Sequence, residues 1–286
     1  MIKSKLINRI IDCGWKYIQI ILLSISFFIP KFIKLSDIIV NKLHLVEIDQ
    51  PTDLQITNML LLTLIKKGDL FLGIGIGLII YYFLFKKNSF ETINNGNRYH
   101  NHPYFYYWMS SHILGYKKCS LVLVPIFMQI KLVINDTFKE FDYGDEELYS
   151  NDSNISFNVE KNNFHQIDSS TQLNIVISDT YNIKESSLPH MYLSNPTIII
   201  QRNDSSNNHS RIYSPKLIQI LSNELLSFAS GKQINLFATT NAKNTYYITK
   251  SVFKNAERSN IKQLVVFQAE KINENDWMFN ANKHII

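Results

Sequence analysis

The segment that most limits how this chain folds is an apolar run, "DLFLGIGIGLIIYYFLF", at residues 69–85. Lys86 and Lys87 follow it directly. A helix of this length extends roughly 25 Å, and the flanking tyrosines and lysines reach the remaining distance to the edges of a hydrocarbon core of about 30 Å. The run therefore predicts a membrane-spanning helix. Its "GIGIG" motif (73–77) favours close helix packing over a nucleotide-binding loop.

A second spanning helix is predicted near the N-terminus, at residues 15–35. This run is apolar, begins with an interfacial Trp and Tyr, and contains Pro30, which predicts a bend. Two weaker stretches, 35–48 and 54–65, either span inside a bundle or lie in the interface. Residues 1–87 are therefore predicted to be transmembrane, with two clear spans and up to four. The lysines that close the first segment favour a cytosolic location for the rest of the chain.

The region that follows the spans begins with a polar, Asn-rich connector at residues 88–103. Residues 104–132 then predict one long helix with a kink at Pro125. Because so much of this helix is aromatic, it needs a partner, and a second copy of the chain is the simplest one. The acidic, Asn-rich run at 138–170 predicts a surface loop or a weakly ordered hairpin.

The C-terminal half alternates between strand and helix patterns. Short runs rich in β-branched residues predict four buried strands, at 173–179, 197–202, 234–240 and 263–269. Helices are predicted at 214–231, with Ser214 as N-cap and Gly231 as C-cap, and at 244–259. This alternation predicts a cytosolic α/β domain, over residues 104–286, with a mostly central sheet.

Common sequence signatures of catalysis and metal binding are missing from the chain. It has no Gly-rich phosphate loop, His-Glu-x-x-His, Cys-x-x-Cys or Gly-x-Ser-x-Gly. The cysteines, Cys13 and Cys119, are far apart, and the histidines within residues 100–112 fit no common metal site. Asp179, at a strand end, is expected to stabilise a turn. We therefore predict a binding protein that is not an enzyme and holds no metal or cofactor.

Charge and polar side chains indicate the class of ligand. The formal charge of +5, concentrated before residue 90, favours a membrane surface over a nucleic acid polymer. Three segments, "SHILGY", "RIYS" and "FATT", combine rings for stacking, a guanidinium for phosphates and hydroxyls for hydrogen bonds. Their candidate ligand-binding residues are Ser111, His112, Gly115, Tyr116, Arg211, Tyr213, Ser214, Thr239 and Thr240.

Taken in order, these segments resemble the STING family, membrane-anchored receptors of cyclic dinucleotides. "SHILGY" resembles the Ser-x-x-x-Gly-Tyr of the family's first ligand-domain helix, and "LNIVISD" resembles a strand that ends in aspartate. "RIYSPKLIQIL" is similar to the family's Arg-Val-Tyr-Ser segment, "INLFATT" to its Tyr-Ala-Thr-Pro strand, and "IKQLVVFQAE" to its late strand. Where the family has a glutamate and a proline around Tyr-Ala-Thr, this chain has Leu236 and Thr240.

The resemblance implies a transmembrane bundle followed by a cytosolic STING-like α/β ligand-binding domain. It implies an innate-immune signalling receptor for antiviral defence, a homodimer that binds a cyclic dinucleotide such as cGAMP between its protomers. Lid closure and assembly into higher oligomers would carry the signal. The implied roles are base stacking by Tyr116, phosphate or base-edge contacts by Arg211, and pocket lining by Tyr213 and Ser214. The resemblance also implies that Thr239 and Thr240 lie beside the bases.

The location and the first of three alternatives follow from the same resemblance, and the other two alternatives stand apart from it. The membrane is that of the endoplasmic reticulum in a eukaryote or the inner membrane in a bacterium. The expected partners are the ligand, further copies of the chain and the membrane. One alternative is a bacterial antiphage effector that a cyclic dinucleotide gates and that damages the inner membrane. The others are a membrane-anchored α/β enzyme and a membrane scaffold.

Overall fold

The chain divides into two compact units. A computed structural model of the protein describes residues 2–35, 38, 67–144, 155–203, 212–254, 260–271 and 277–286. The first unit comprises Met1–Thr92 and Phe105–Lys117, and the second comprises Ile93–Tyr104 and Lys118–Ile286. The domain boundaries predicted at residues 87 and 103 stay a prediction, and in this division residues 105–117 belong to the unit that contains the apolar helices.

The first unit is built on two long helices, α1 (Ile2–Ile33) and α2 (Gly68–Asn88). Each contains a segment long and apolar enough to cross a membrane, Gly14–Ile33 in α1 and all of α2. Most side chains of both segments are not buried by the protein itself, as expected of helices that face lipid. The two clear spans predicted from the sequence are therefore helices of spanning length. Apart from residues 35 and 38, the weaker candidates at 35–48 and 54–65 lie outside the described residues.

Glycines of α2 allow its backbone to approach α1. A Cβ placed on Gly73 would overlap the carbonyl oxygen of Phe27, and one on Gly77 would overlap the Phe27 ring. Gly75, between them, has nothing within 4 Å of such a Cβ. Gly73 and Gly77 are four residues apart, the spacing of the small-residue motif that lets membrane helices pack closely. The predicted packing role of "GIGIG" therefore belongs to two of its three glycines.

The segment predicted as one long helix over 104–132 is two short helices, and this prediction is wrong. Helix α3 (Tyr104–His112) and helix α4 (Ile126–Ile134) are separated by strand β2 (Lys118–Ser120). The chain leaves the right-handed helical region at Gly115 (φ +79°) and Leu123 (φ +57°), which interrupts the backbone hydrogen-bond ladder of a helix. Pro125 is the N-cap of α4 and does not kink a longer helix.

The strands of the described residues form two sheets. A three-stranded sheet has the order β1-β2-β3, with β1 at Thr92–Ile93 and β3 at Glu140–Asp142. A six-stranded sheet has the order β4-β6-β5-β7-β8-β9. Its inner strands, β6, β5, β7 and β8, are parallel, and its two edge strands are antiparallel to their neighbours. The strand bounds are β4 Ser156–Asn162, β5 Gln172–Ser178, β6 Thr197–Asn203, β7 Gln233–Thr239, β8 Gln263–Lys271 and β9 Trp277–Ile285.

The four predicted strands are the inner strands of this sheet, whereas its edges were not predicted. The acidic run at 138–170 was predicted to be a loop or weak hairpin, but it contains β3 and β4. In β4, Phe157 and Val159 pack against the core while polar residues alternate with them. The many Asn and acidic residues hide this two-residue period, which is typical of an edge strand.

Two further α-helices of the second unit lie within the described residues. Helix α5 (Pro215–Phe228) begins at the predicted N-cap, where the Ser214 side chain accepts a hydrogen bond from the Leu217 amide at 3.3 Å. The helix ends earlier than predicted, with Ala229 as its C-cap, and Gly231 follows in the left-handed region. Helix α6 (Ala242–Ile248) continues as a single π-helical turn to Phe253. Leucines of α5 pack with the aliphatic residues of the inner strands to form the main core.

The glycine contacts predict how substitutions change the stability of the helix pair. We expect Gly73→Ala to lower the free energy of unfolding by about 1–3 kcal/mol, because a methyl group there forces the helices apart. Gly75→Ala is the matched control, and we expect it to be neutral or slightly stabilising, because its methyl group meets no other atom. Thermal unfolding in detergent, followed by circular dichroism, measures both. Equal behaviour of the two variants would contradict the glycine packing.

Candidate functional site

The topology of the large sheet locates a candidate site at the carboxyl ends of β5 and β7. The chain runs from β5 to β6 on one side and then returns across β5 to β7 on the other. At such a switch point the connections leave in opposite directions, and parallel α/β sheets bind ligands in the crevice between them. Asp179 follows β5, Thr239 is the last residue of β7, and Thr240 follows it. Polar residues therefore occupy the position where this topology favours a ligand.

Asp179 is the centre of a buried polar cluster at these strand ends. Its side chain is fully buried, and Arg202 of β6 donates a hydrogen bond to its Oδ1 at 3.2 Å. Asn244 and Asn241 donate to its Oδ2 at 2.7 and 3.4 Å. Burial raises the pKa of Asp179, while Asn244, Arg202 and Asn241 each lower it. The carboxylate therefore links β5, β6 and the start of α6, a wider role than the turn predicted from the sequence.

The same asparagines hold the segment that enters α5. The carbonyl oxygen of Ile212 accepts hydrogen bonds from Asn241 Nδ2 at 2.9 Å and Asn244 Nδ2 at 3.0 Å. The backbone amide of Ser214 donates to Asn244 Oδ1 at 3.1 Å. Tyr213 lies between these two anchored residues. The buried cluster thus fixes the backbone on both sides of Tyr213.

A cluster of rings and a lysine lies beside this segment, and we call Tyr143, Tyr213, Tyr247 and Lys243 the tyrosine–lysine cluster. The rings of Tyr213 and Tyr247 are 5.0 Å apart, and the hydroxyls of Tyr143 and Tyr247 are 3.4 Å apart. Lys243 Nζ lies 4.9 Å from the Tyr213 ring centre and 5.5 Å from that of Tyr143. Burial, with a contribution from Tyr247, raises the pKa of Tyr213. An ammonium group among aromatic faces suits bases and phosphates.

Four of the predicted ligand-binding residues lie in the second unit. Tyr213 is half-buried in the tyrosine–lysine cluster, and Ser214 is buried as the N-cap of α5. Thr239 is buried, and its hydroxyl donates to the carbonyl oxygen of Tyr181 at 2.6 Å. The hydroxyl of Thr240 lies 2.7 Å from that of Thr245. Tyr213 is therefore the member of this group whose side chain is best placed for a ligand, and Arg211 lies outside the described residues.

The other four predicted residues lie in the first unit. His112 is exposed, and its ring stacks on Trp108 with centres 5.2 Å apart. Tyr116 is buried, and its hydroxyl donates to Glu91 at 3.5 Å. Burial is the main cause that raises the pKa of Tyr116 to about 12. Ser111 is half-buried, and the left-handed Gly115 has the Phe85 ring where a Cβ would lie.

Sequence reasoning missed Asn241, Asn244, Tyr143 and Lys243. A capping pattern in the sequence could have identified the asparagines, because Asn241 is the N-cap of α6. Its side chain accepts a hydrogen bond from the Asn244 amide at 2.8 Å. Across the described ranges, no group of three His, Cys, Asp or Glu residues is arranged to hold a metal ion.

The buried cluster predicts a large effect of Asn244→Leu. This change removes two amide donors and one acceptor, and it leaves the Ile212 carbonyl and the Ser214 amide short of partners. We expect the free energy of unfolding to fall by about 2–4 kcal/mol, since each unsatisfied buried group costs about 1–3 kcal/mol. Asn223→Leu on the exposed side of α5 is the control, with an expected change within about 0.5 kcal/mol. Urea unfolding in detergent compares the two, and equal losses would contradict the account of the cluster.

These features define a membrane-anchored α/β protein with a polar site at a switch point of its sheet. Residues 2–286 match the model of the SMODS- and Ubiquitin system-associated 2TM effector domain, SUa-2TM. The chain therefore belongs to the SUa-2TM family. The family description gives two transmembrane segments, in agreement with α1 and α2. The resemblance to the STING family stays a prediction.

Solved structures give a weaker likeness. The chain is similar to the Acinetobacter baumannii Cap4 SAVED/CARF-domain containing receptor with the cyclic trinucleotide 3'3'3'-cAAA, at 9% identity and a TM-score of 0.38, over 62% of this chain and 41% of that one. The same receptor with 2'3'3'-cAAA gives 9% identity and a TM-score of 0.38, over 60% of this chain and 40% of that one. The chain thus spans about two fifths of these receptors, and a score this low supports no functional statement. No curated protein matches the sequence.

Proposed function

We propose that this protein is a bacterial membrane effector of antiphage defence, gated by a cyclic oligonucleotide that binds its α/β unit. A bacterial effector is favoured over a STING-like sensor because the family description names a two-helix membrane effector. The observation that carries it is the tyrosine–lysine cluster beside the switch point of the sheet. The membrane in this proposal is the bacterial inner membrane, and the family gives no support to the endoplasmic reticulum.

The chemistry of the cluster suits a ligand that alternates bases with phosphates. Stacking of a base on an aromatic side chain contributes about 1–3 kcal/mol, and Tyr213 and Tyr143 offer rings for it. Lys243 adds an ammonium group between those rings. Arg211 directly precedes the anchored segment and adds a guanidinium that binds phosphate with two parallel hydrogen bonds. A cyclic oligonucleotide uses all three kinds of group at once.

The finer parts of the proposal concern the ligand and the assembly. A cyclic dinucleotide such as cGAMP is the first candidate, as the resemblance to STING implies, with a homodimer that shares one ligand. Binding shifts the population toward one arrangement of the α/β units, which drives higher oligomers and brings the α1–α2 pairs together in the membrane. The site binds its ligand and does not turn it over, and the proposal includes neither a cofactor nor a nucleic acid polymer as partner.

Direct binding tests the proposal. Full-length protein in detergent is titrated by calorimetry with cyclic di-GMP, cyclic di-AMP, cGAMP and cyclic triadenylate. We expect at least one to bind, and Lys243→Met and Arg211→Ala each to weaken that binding by about 5- to 100-fold, the equivalent of roughly 1–3 kcal/mol.

The matched control is Lys262→Met, which removes the same charge just before β8, at the opposite end of the strands. The affinity of the Lys262→Met variant for the cyclic oligonucleotide should equal that of the unaltered protein. The proposal fails if no cyclic oligonucleotide binds. It also fails if the Lys243→Met and Arg211→Ala variants bind as tightly as the control.

A further inference from the structure

Helix α3 carries a column of three exposed rings, Phe105, Trp108 and His112, on one face. Phe105 and Trp108 stack with centres 6.0 Å apart, and Trp108 and His112 with centres 5.2 Å apart. Phe105 is 60% exposed and Trp108 is 39% exposed. The proposed ligand site uses neither of them. The opposite side of the helix is buried, at Tyr106, Tyr107, Met109 and Ser110.

Interfacial residues mark one end of the α1–α2 pair. The spanning segment of α1 begins with Gly14, Trp15 and Lys16, and Lys86 and Lys87 lie in the last turn of α2. Tryptophan and lysine at the ends of a span are typical of the boundary between hydrocarbon and headgroups. These residues therefore belong to the boundary of a leaflet.

A buried pair of amides joins the two marked ends. Asn88 Nδ2 donates to Gln19 Oε1 at 3.2 Å, and Gln19 Nε2 lies 3.4 Å from Asn88 Oδ1. Both side chains are buried. The start of the span in α1 and the end of α2 therefore lie on the same side of the membrane.

The loop after α3 is fixed at this same end. Asn88 Nδ2 also donates to the carbonyl oxygen of Leu114 at 2.8 Å. Lys16 Nζ lies 5.4 Å from the centre of the Tyr116 ring, and Tyr116 donates to Glu91. The end of α3 is thus held at the level where α2 leaves the hydrocarbon.

This attachment limits how far the rings are from the membrane. Helix α3 ends at His112, but the Leu114 amide still donates to the carbonyl oxygen of Met109 at 3.1 Å, so Trp108 and Leu114 are separated by at most about two helical turns, roughly 11 Å, even if α3 points directly away from the bilayer. The headgroup region extends about 5–8 Å beyond the hydrocarbon on each side, and any tilt of α3 brings Trp108 closer to it. The ring column is therefore within reach of the lipid interface of that leaflet.

We propose that the ring column of α3 inserts into the lipid interface of the leaflet that contains Lys86 and Lys87. Aromatic rings with a polar edge, above all tryptophan, are stabilised at this depth. The lipid surface is favoured over a second copy of the chain because the column is continuous with the membrane-boundary end of the helix pair. The inference depends on the spanning helices and not on the ligand, so it can fail while the proposed function holds.

Tryptophan fluorescence tests the proposal, because the chain has three tryptophans. The variant Trp15→Phe/Trp277→Phe keeps Trp108 as its only tryptophan in otherwise full-length protein, and excitation at the red edge of the absorption band avoids the tyrosines. It is reconstituted into vesicles of phosphatidylcholine and phosphatidylglycerol with lipids brominated at different positions of the acyl chain. We expect quenching of Trp108, strongest with bromine nearest the headgroup, and an emission maximum at shorter wavelength than in water.

The variant that keeps only Trp15 is the positive control, since Trp15 begins the spanning segment and must be quenched if the protein has inserted. Absence of Trp108 quenching in vesicles where Trp15 is quenched overturns the proposal. The same conclusion follows if Trp108 emission depends on the protein-to-lipid ratio without quenching, because a second copy then covers the rings. If the double variant does not fold, the unaltered protein is compared with the single variant Trp108→Phe. The part of the quenching by brominated lipid that this change removes then belongs to Trp108.

Discussion

The buried carboxylate of Asp179 sets the geometry of the candidate site. A charged group without water requires partners on every side, and here one guanidinium and two amides supply them. The side-chain amides of Asn241 and Asn244 also donate to the carbonyl oxygen of Ile212. The same two residues therefore hold both Asp179 and the backbone that leads through Tyr213 into α5. Removal of the charged partner, Arg202, from such a buried ion pair costs about 3–5 kcal/mol, which gives the fold a strong preference for one arrangement of the strand ends.

Each of the two units is stabilised internally by a different kind of interaction. In the second unit, burial of the aliphatic faces of β5–β8 and α5 drives folding. Lipid removes that driving force from α1 and α2, and close backbone packing at Gly73 and Gly77 together with the Gln19–Asn88 pair takes its place. The chain passes between the units three times, at residues 92–93, 104–105 and 117–118. A change in the α/β unit therefore has three covalent routes to the membrane helices, a connectivity that suits an effector.

Sequence patterns predicted the elements whose stability is local. The inner strands and the spanning helices are long apolar runs, and the Ser214 cap is a contact within four residues, so periodicity and capping rules predict them. The edge strand β4 was missed because its apolar residues are only Phe157 and Val159. The break between α3 and α4 depends on positive φ at Gly115 and Leu123, and leucine gives no sign of such a conformation in a sequence.

Most of the candidate site, in contrast, depends on residues that are distant in the chain. Asp179 and Asn244 are 65 positions apart, and Tyr143 and Tyr247 are 104 apart. No periodic pattern relates such pairs, and only the topology of the sheet brings them together. Tyr213 was predicted because "RIYS" resembles a known segment, and its neighbours Tyr143 and Lys243 were not because no motif contains them.

The central claim is that a ligand in the α/β unit changes the membrane behaviour of α1 and α2. Dye release from sealed vesicles that contain the full-length protein tests this coupling most directly. The account predicts intact vesicles without ligand and rapid release when a cyclic oligonucleotide that binds the protein is added. Release that is equally fast without ligand would contradict the account, as would saturating binding that leaves the vesicles sealed.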